Sequence, residues 1–191
     1  MNYEDQITFY LCEFSKGNKT AFNKLFPLVY KELRKSARNI RIRFWDIDTL
    51  NTTALVHETY LKMLRSGAGN FKSKAHFYYV SAKAMRHILI NASQKKRALR
   101  RGGDMRPFSV EKSDNVTAKL SDQTSEQLLM IHDALEKLEM LNDRQAKIVE
   151  CRFFGGMTVE ETAEALNISP SSVKRSWSMA RSWLYTQFNP G

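Results

Sequence analysis

Near the end of the chain, Ser171, Ser172, Lys174, Arg175 and Ser178 recur at helical spacing and so share one side of a helix. Hydroxyls and cations at a helix N-terminus suit phosphate oxygens and the edges of base pairs. That face meets no acid, because Glu164 is the last carboxylate side chain in the chain. A second set lies upstream: Asn70, Lys72, Lys74, His76 and Phe77, continuing through Lys83, Arg86 and Asn91. Rings interleaved with cations can hold unpaired bases, the rings stacking while the cations track the backbone. Bond-making chemistry is not provided for. His57 and Glu58 are adjacent, and adjacent helical residues do not face one another, nor is a nucleophile or second carboxylate placed to complete a site. The four histidines are scattered, and neither a phosphate loop nor metal-ligand spacing is found, so no catalytic residue, metal or cofactor is expected.

The elements that position these residues are helical almost throughout. Thr158 with Glu161 fits a capping box, Ser169 precedes Pro170 at a first helical position, and Asn167 stands in the turn between as a residue tolerant of positive φ. Ala163 is the small residue at which two crossing helices approach, and Ile168 can plug the corner. Val173, Trp177, Ala180, Leu184 and Phe188 recur at three and four to form the buried side of the last helix. The pattern is a helix-turn-helix. A helical hairpin used only for packing is the alternative, and Trp177 could stack on a base, though its register assigns it to the core.

Upstream, helices are expected over residues 4–14, from 20 onward with Pro27 interrupting, from the Asn51-Thr52-Thr53 caps to Ser66-Gly67, and from Ser73 to about 100. Three successive rings, Phe77, Tyr78 and Tyr79, cannot all face inward from one helix side. Residues 102–123 are rich in Gly, Ser, Asp, Asn and Thr with little periodicity and read as a flexible linker. Helices over 124–140, 143–154, 158–166 and 170–188 follow, with Asn142 and Gln145 as another capping box. The expectation is an all-α chain of two small helical domains, 1–101 and 124–191, joined by that linker.

Charge narrows the partner. The net charge is +10 with a pI near 9.7, and it is unevenly spread. Residues 1–100 carry about +12, from nineteen Lys or Arg against seven Asp or Glu, while residues 101–191 carry about −2. From residue 59 to residue 103 there are eleven Lys or Arg and no acid. Solvated faces usually mix signs, so a polyanion, nucleic acid before a membrane surface, is the expected partner. No run of about 18 apolar residues is present, the start lacks a signal-peptide layout, and Cys12 and Cys151 read as buried thiols of a reducing compartment. A cytoplasmic location without membrane contact is expected.

Together these pieces resemble an extracytoplasmic-function (ECF) sigma factor of the sigma-70 family. Ala54-Leu55-Val56-His57-Glu58-Thr59-Tyr60 is similar to the family's D-L-V-Q-E-x-F core-binding helix. Residues 70–101 resemble its regions 2.3 and 2.4, and residues 138–184 its region 4, where residues 169–176 are similar to the S-x-x-T-V-K-S-R signature. Ala54 stands where the family has an acid and His57 where it has glutamine, with Asn167, Thr162 and Trp177 replacing glycine, isoleucine and leucine.

The resemblance implies a non-catalytic subunit that binds bacterial core RNA polymerase, at the clamp coiled coil and the flap, and directs it to promoters. It implies that residues 1–101 form a region 2-like domain and residues 124–191 a region 4-like one. Leu55, His57, Glu58 and Leu61 would dock on polymerase. Asn70, Lys72, Lys74, His76, Phe77, Lys83, Arg86 and Asn91 would engage the −10 element. Ser171, Ser172, Lys174, Arg175 and Ser178, with Met179 on the resemblance alone, would read the −35 duplex. An anti-sigma factor is a further partner the family commonly has. The rivals are a stand-alone DNA-binding regulator, whose N-terminal half would be a sensor, and a nucleic-acid-processing enzyme, which needs a carboxylate cluster that the acid-free span lacks.

Overall fold

A computed structural model describes residues 2–43, 51–66, 71–100 and 120–188. Among these residues there are eight α-helices and no strand: α1 (Tyr3–Ser15), α2 (Lys19–Arg43), α3 (Thr52–Arg65), α4 (Lys74–Arg100), α5 (Asp122–Leu141), α6 (Asp143–Val149), α7 (Val159–Leu166) and α8 (Pro170–Phe188). A π turn, Glu150–Phe154, continues α6.

Side-chain caps set where most of these helices begin. Asn2 and Asp5 form a reciprocal box at α1, and Asn51 accepts from the backbone N–H groups of Thr53 and Ala54 at 3.0 and 3.2 Å. Thr158 and Glu161 form the second complete box, with bonds of 3.1 and 2.7 Å. Each such cap is worth about 1 kcal/mol. Asn142 accepts from the Gln145 N–H at 3.0 Å. Asn167 has φ +53°, the left-handed turn its position requires. Of the expected linker, residues 102–119 lie outside the described residues. Its last four are ordered structure: Leu120 is buried, and Ser121 caps a helix that starts at Asp122, two residues earlier than its periodicity suggests.

Helices α1 to α4 pack as one bundle around Phe14, Phe22, Leu25, Leu33, Leu55 and Phe77, all with essentially no exposed surface. Phe14 stacks on Phe22 with centroids 4.5 Å apart, and Phe22 on Tyr60 at 5.2 Å. Burying each such ring contributes about 1.5–3 kcal/mol. The C-terminal helices form a second layer against α4, with α5, the π turn and α7 all packed on it.

Helix α4 is therefore buried on two sides. At 100° per residue, Phe77, Ala84, Met85, Ile88 and Ala92 point toward α1–α3, while Ala75, Tyr79, Ala82, Arg86 and Ser93 point roughly opposite. This corrects the expectation for the three rings. Phe77 is fully buried in the first core, Tyr79 is buried against Cys151, Met157 and Ala165, and Tyr78 is half-buried and touches both clusters. A helix between two layers has two insides. Two smaller expectations also change: Phe188 is 37% exposed at the end of α8, and Cys12 is exposed, leaving Cys151 as the one buried thiol.

The packing has two measurable consequences. A Cβ on Gly155 would stand 2.5 Å from the Cys151 carbonyl oxygen, which is backbone and cannot swing away. Gly155→Ala should cost about 1–3 kcal/mol and lower Tm by several degrees in a thermal melt. His87 sits half-buried on the seam of α4 between the two insides; burial, then Arg86, Lys62, Lys83 and His132, push its pKa down from 6.5 to about 4. The unfolded chain then binds the proton first, so stability is full above pH 6.5 and declines as pH falls toward 4. Denaturant titrations across that window should show the decline, and His87→Gln should flatten it.

Candidate nucleic-acid interface

The α8 face is open and preorganised. Ser171, Lys174, Arg175, Ser178 and Met179 are exposed and Ser172 half-buried, while Val173 and Ala180 on the opposite side have no accessible surface. The Ser169 hydroxyl oxygen accepts from the Ser172 N–H at 3.2 Å and lies 3.0 and 2.9 Å from the Ser171 and Ser172 hydroxyls. Three hydroxyls are thus gathered at the helix N-terminus, where the backbone dipole favours an anion. Lys174 and Arg175 follow one turn on. The helix is anchored behind by Ala163, Ile148 and Val173, with Ile168 in the corner, as the turn chemistry requires. Trp177 packs into the core between two clusters, and the Arg152 guanidinium lies 5.7 Å from its ring centroid.

The upstream set is divided by the fold. Asn70 lies outside the described residues. Lys72 is exposed at the start of α4, and Lys74 pairs with Glu4 at 3.2 Å. His76 is half-buried; its Nδ1 lies 3.4 Å from the Lys72 backbone nitrogen, and burial, with Lys72 nearby, holds its pKa below the ordinary histidine range. Phe77 is in the core and presents no ring to a ligand in this state. Asn91 is exposed and Lys83 half-buried. Arg86 is only 5% exposed. Its Nε donates to both Glu150 carboxylate oxygens, at 3.0 and 2.8 Å, and its Nη1 to His132 Nδ1 at 2.9 Å.

Helix α3 presents His57 fully and Glu58 and Leu61 in part, while Leu55 points inward and is completely covered. Leu55 thus belongs to the core of the bundle, where it and Val56 set the rotation of α3, rather than to its surface.

Glu150 is the residue that sequence reasoning passed over. Burial pushes its carboxyl up, and the Arg86 charge and hydrogen bonds pull it back. Its signal was faint: one acid among thirteen in the C-terminal half, followed by Cys151. The other contacts between the halves are of the same kind. Lys96 pairs with Asp122 at 3.2 Å, and Arg100 with Asp122 and Glu126 at 3.6 and 3.2 Å. The Ser36 hydroxyl donates to the Gly155 carbonyl at 2.8 Å, and Arg43 donates to the Arg152 carbonyl at 3.3 Å while lying 4.8 Å from the Phe153 ring centroid. The basic side of each ionic contact is on α4, the acidic side on α5 or the π turn.

Among the described residues no group of His, Cys, Asp or Glu is placed to hold a metal ion, and no helix is long and apolar enough to cross a membrane. In comparisons with known proteins, no curated protein and no solved structure matches the chain. A family model described as ECF sigma factor matches residues 4–190. The match runs through both the α4 set and the reading face of α8. The chain belongs to the ECF sigma factor family, non-catalytic initiation factors that bind RNA polymerase and direct promoter-dependent transcription.

Proposed function

We propose that the two halves of the chain grip a promoter at two places, with α8 reading the −35 duplex and the α4 region engaging the −10 element. The observation that carries this is the exposed, acid-free face of α8, where Ser171, Ser172, Lys174, Arg175, Ser178 and Met179 converge on one surface beside a helix N-terminus. A helix of this kind fits the major groove, with the hydroxyls and cations meeting phosphates and base edges. On the α4 side, Lys72, His76, Lys83, Arg86 and Asn91 offer the cations and ring suited to an unpaired strand. Strand opening would draw on binding to the opened state, with no hydrolysis required.

Polymerase docking is assigned to α3 through His57, Glu58 and Leu61. A second contact is a groove walled by Val149, Phe153, Trp177, Leu184 and Tyr185, which would suit the flap. An anti-sigma factor that covers either surface would silence the chain. The halves, 1–101 and 124–191, act in this reading as separate domains. Members of the family act in the cytoplasm, where polymerase is found.

Run-off transcription with core polymerase tests the reading. Lys174→Ala with Arg175→Ala should abolish dependence on the upstream element, lowering affinity for duplex promoter DNA roughly 10- to 100-fold for each base-reading side chain removed. Co-purification with core polymerase should be unchanged. Failure to bind polymerase, or a transcript with the same upstream dependence, would count against α8 as the reading helix.

A further inference from the structure

The charge asymmetry along the chain has a structural counterpart that promoter binding does not use. The cations on the inner side of α4 are met by carboxylates: Arg86 by Glu150, Lys96 by Asp122, Arg100 by Asp122 and Glu126. The first pair is buried, with 6% and 7% of the two side chains exposed. Glu150 offers Arg86 two oxygens at 2.8 and 3.0 Å, the geometry a guanidinium makes with a phosphate. Glu139 and Lys147 close the cleft above Lys83 and Tyr79. The α8 reading face, by contrast, is left uncovered.

We propose that this is an autoinhibitory contact: the acidic side of α5 and the π turn occupies α4 in place of a nucleic-acid backbone, closing the strand-binding surface until the halves part. The inference rests on the reading of α4 as the −10 surface. Arg86 cannot serve a phosphate and Glu150 together, so binding of an unpaired strand requires opening. The closed chain can still meet duplex DNA through α8. A free chain of this design reads the upstream element without capturing single strands, and the grip on the downstream element becomes available only when the carboxylate leaves.

The contact has a weak point. Removing one charge from a buried pair leaves the other uncompensated, so Glu150→Gln should shift the chain toward the open form. Apparent affinity scales with the open fraction, which sets the size of the gain. The full-length chain and its Glu150→Gln variant would be titrated with a labelled, mixed-sequence single-stranded DNA oligonucleotide, and their radii of gyration measured by small-angle scattering. Glu164→Gln removes the same charge from α7, away from α4, and controls for net charge. Ser36→Asp sets a carboxylate against the Gly155 carbonyl on the half-buried face of α2; it lies outside either core and keeps the test available if Glu150→Gln fails to fold.

Expansion of Glu150→Gln and Ser36→Asp, with oligonucleotide affinity raised about tenfold or more and Glu164→Gln at the wild-type value, supports the proposal. Unchanged size and affinity in both variants overturns the latch. Reading of the −10 element by α4 would then be judged apart, by whether Arg86→Ala still impairs promoter opening by the assembled holoenzyme. Expansion without tighter binding overturns the occlusion and the α4 reading together.

Discussion

A helix that carries cations along its length and no acid can be enclosed on two sides only if its neighbours bring the opposite charge. In α4 that condition is met at Arg86. A guanidinium with almost no access to water costs several kcal/mol unless it is paired and fully hydrogen-bonded, and Glu150 and His132 together supply the pairing. The C-terminal layer depends on this arrangement. Tyr79, Met157, Cys151 and Ala165 pack around the pair, and the Gly155-Gly156 turn follows it closely enough to rest on Ser36 and Asn39 of α2. The ionic contacts nearer the end of α4, from Lys96 and Arg100, are more exposed and contribute much less each.

Much of the fold was legible because its signals are local. Capping residues, the Asn167 turn and the three-and-four spacing of apolar side chains act within a few residues, and they placed the helix starts within about two positions. The α8 face was equally readable, since side chains opposite a buried stripe must be outside. The inner side of α4 was not. Its second core is built from residues some 60 to 90 positions away, and no local periodicity distinguishes Arg86 facing water from Arg86 facing Glu150. For the same reason Tyr79 looked like a candidate for the surface, and Leu55 like a contact for a partner. The family match covers both halves, yet a match along the chain carries no information on how the halves meet.

The same residues therefore have two employments. Lys83 and Arg86 suit a strand of nucleic acid, and they equally suit a carboxylate surface with similar spacing of negative charge. A strongly basic half and a slightly acidic half in one chain will find each other at low ionic strength, with screening by salt acting on the exposed pairs and sparing the buried one. The family's two-part promoter grip is compatible with that self-association, because one of its two surfaces stays free in the closed arrangement.

The π turn at Glu150–Phe154 ties these features together through length rather than side-chain identity. An i→i+5 turn holds one residue more than an α turn, which offsets everything after it by about 100° around the helix axis. Because of that offset Glu150, Cys151 and Phe154 are all buried, while Arg152 and Phe153 reach Trp177 and Arg43. A chain shortened by one residue here would retain every motif and yet turn the carboxylate away from its cation. Among relatives, single-residue insertions and deletions at this spot would separate chains that fold shut from chains that stay open, a difference invisible to any count of identical positions.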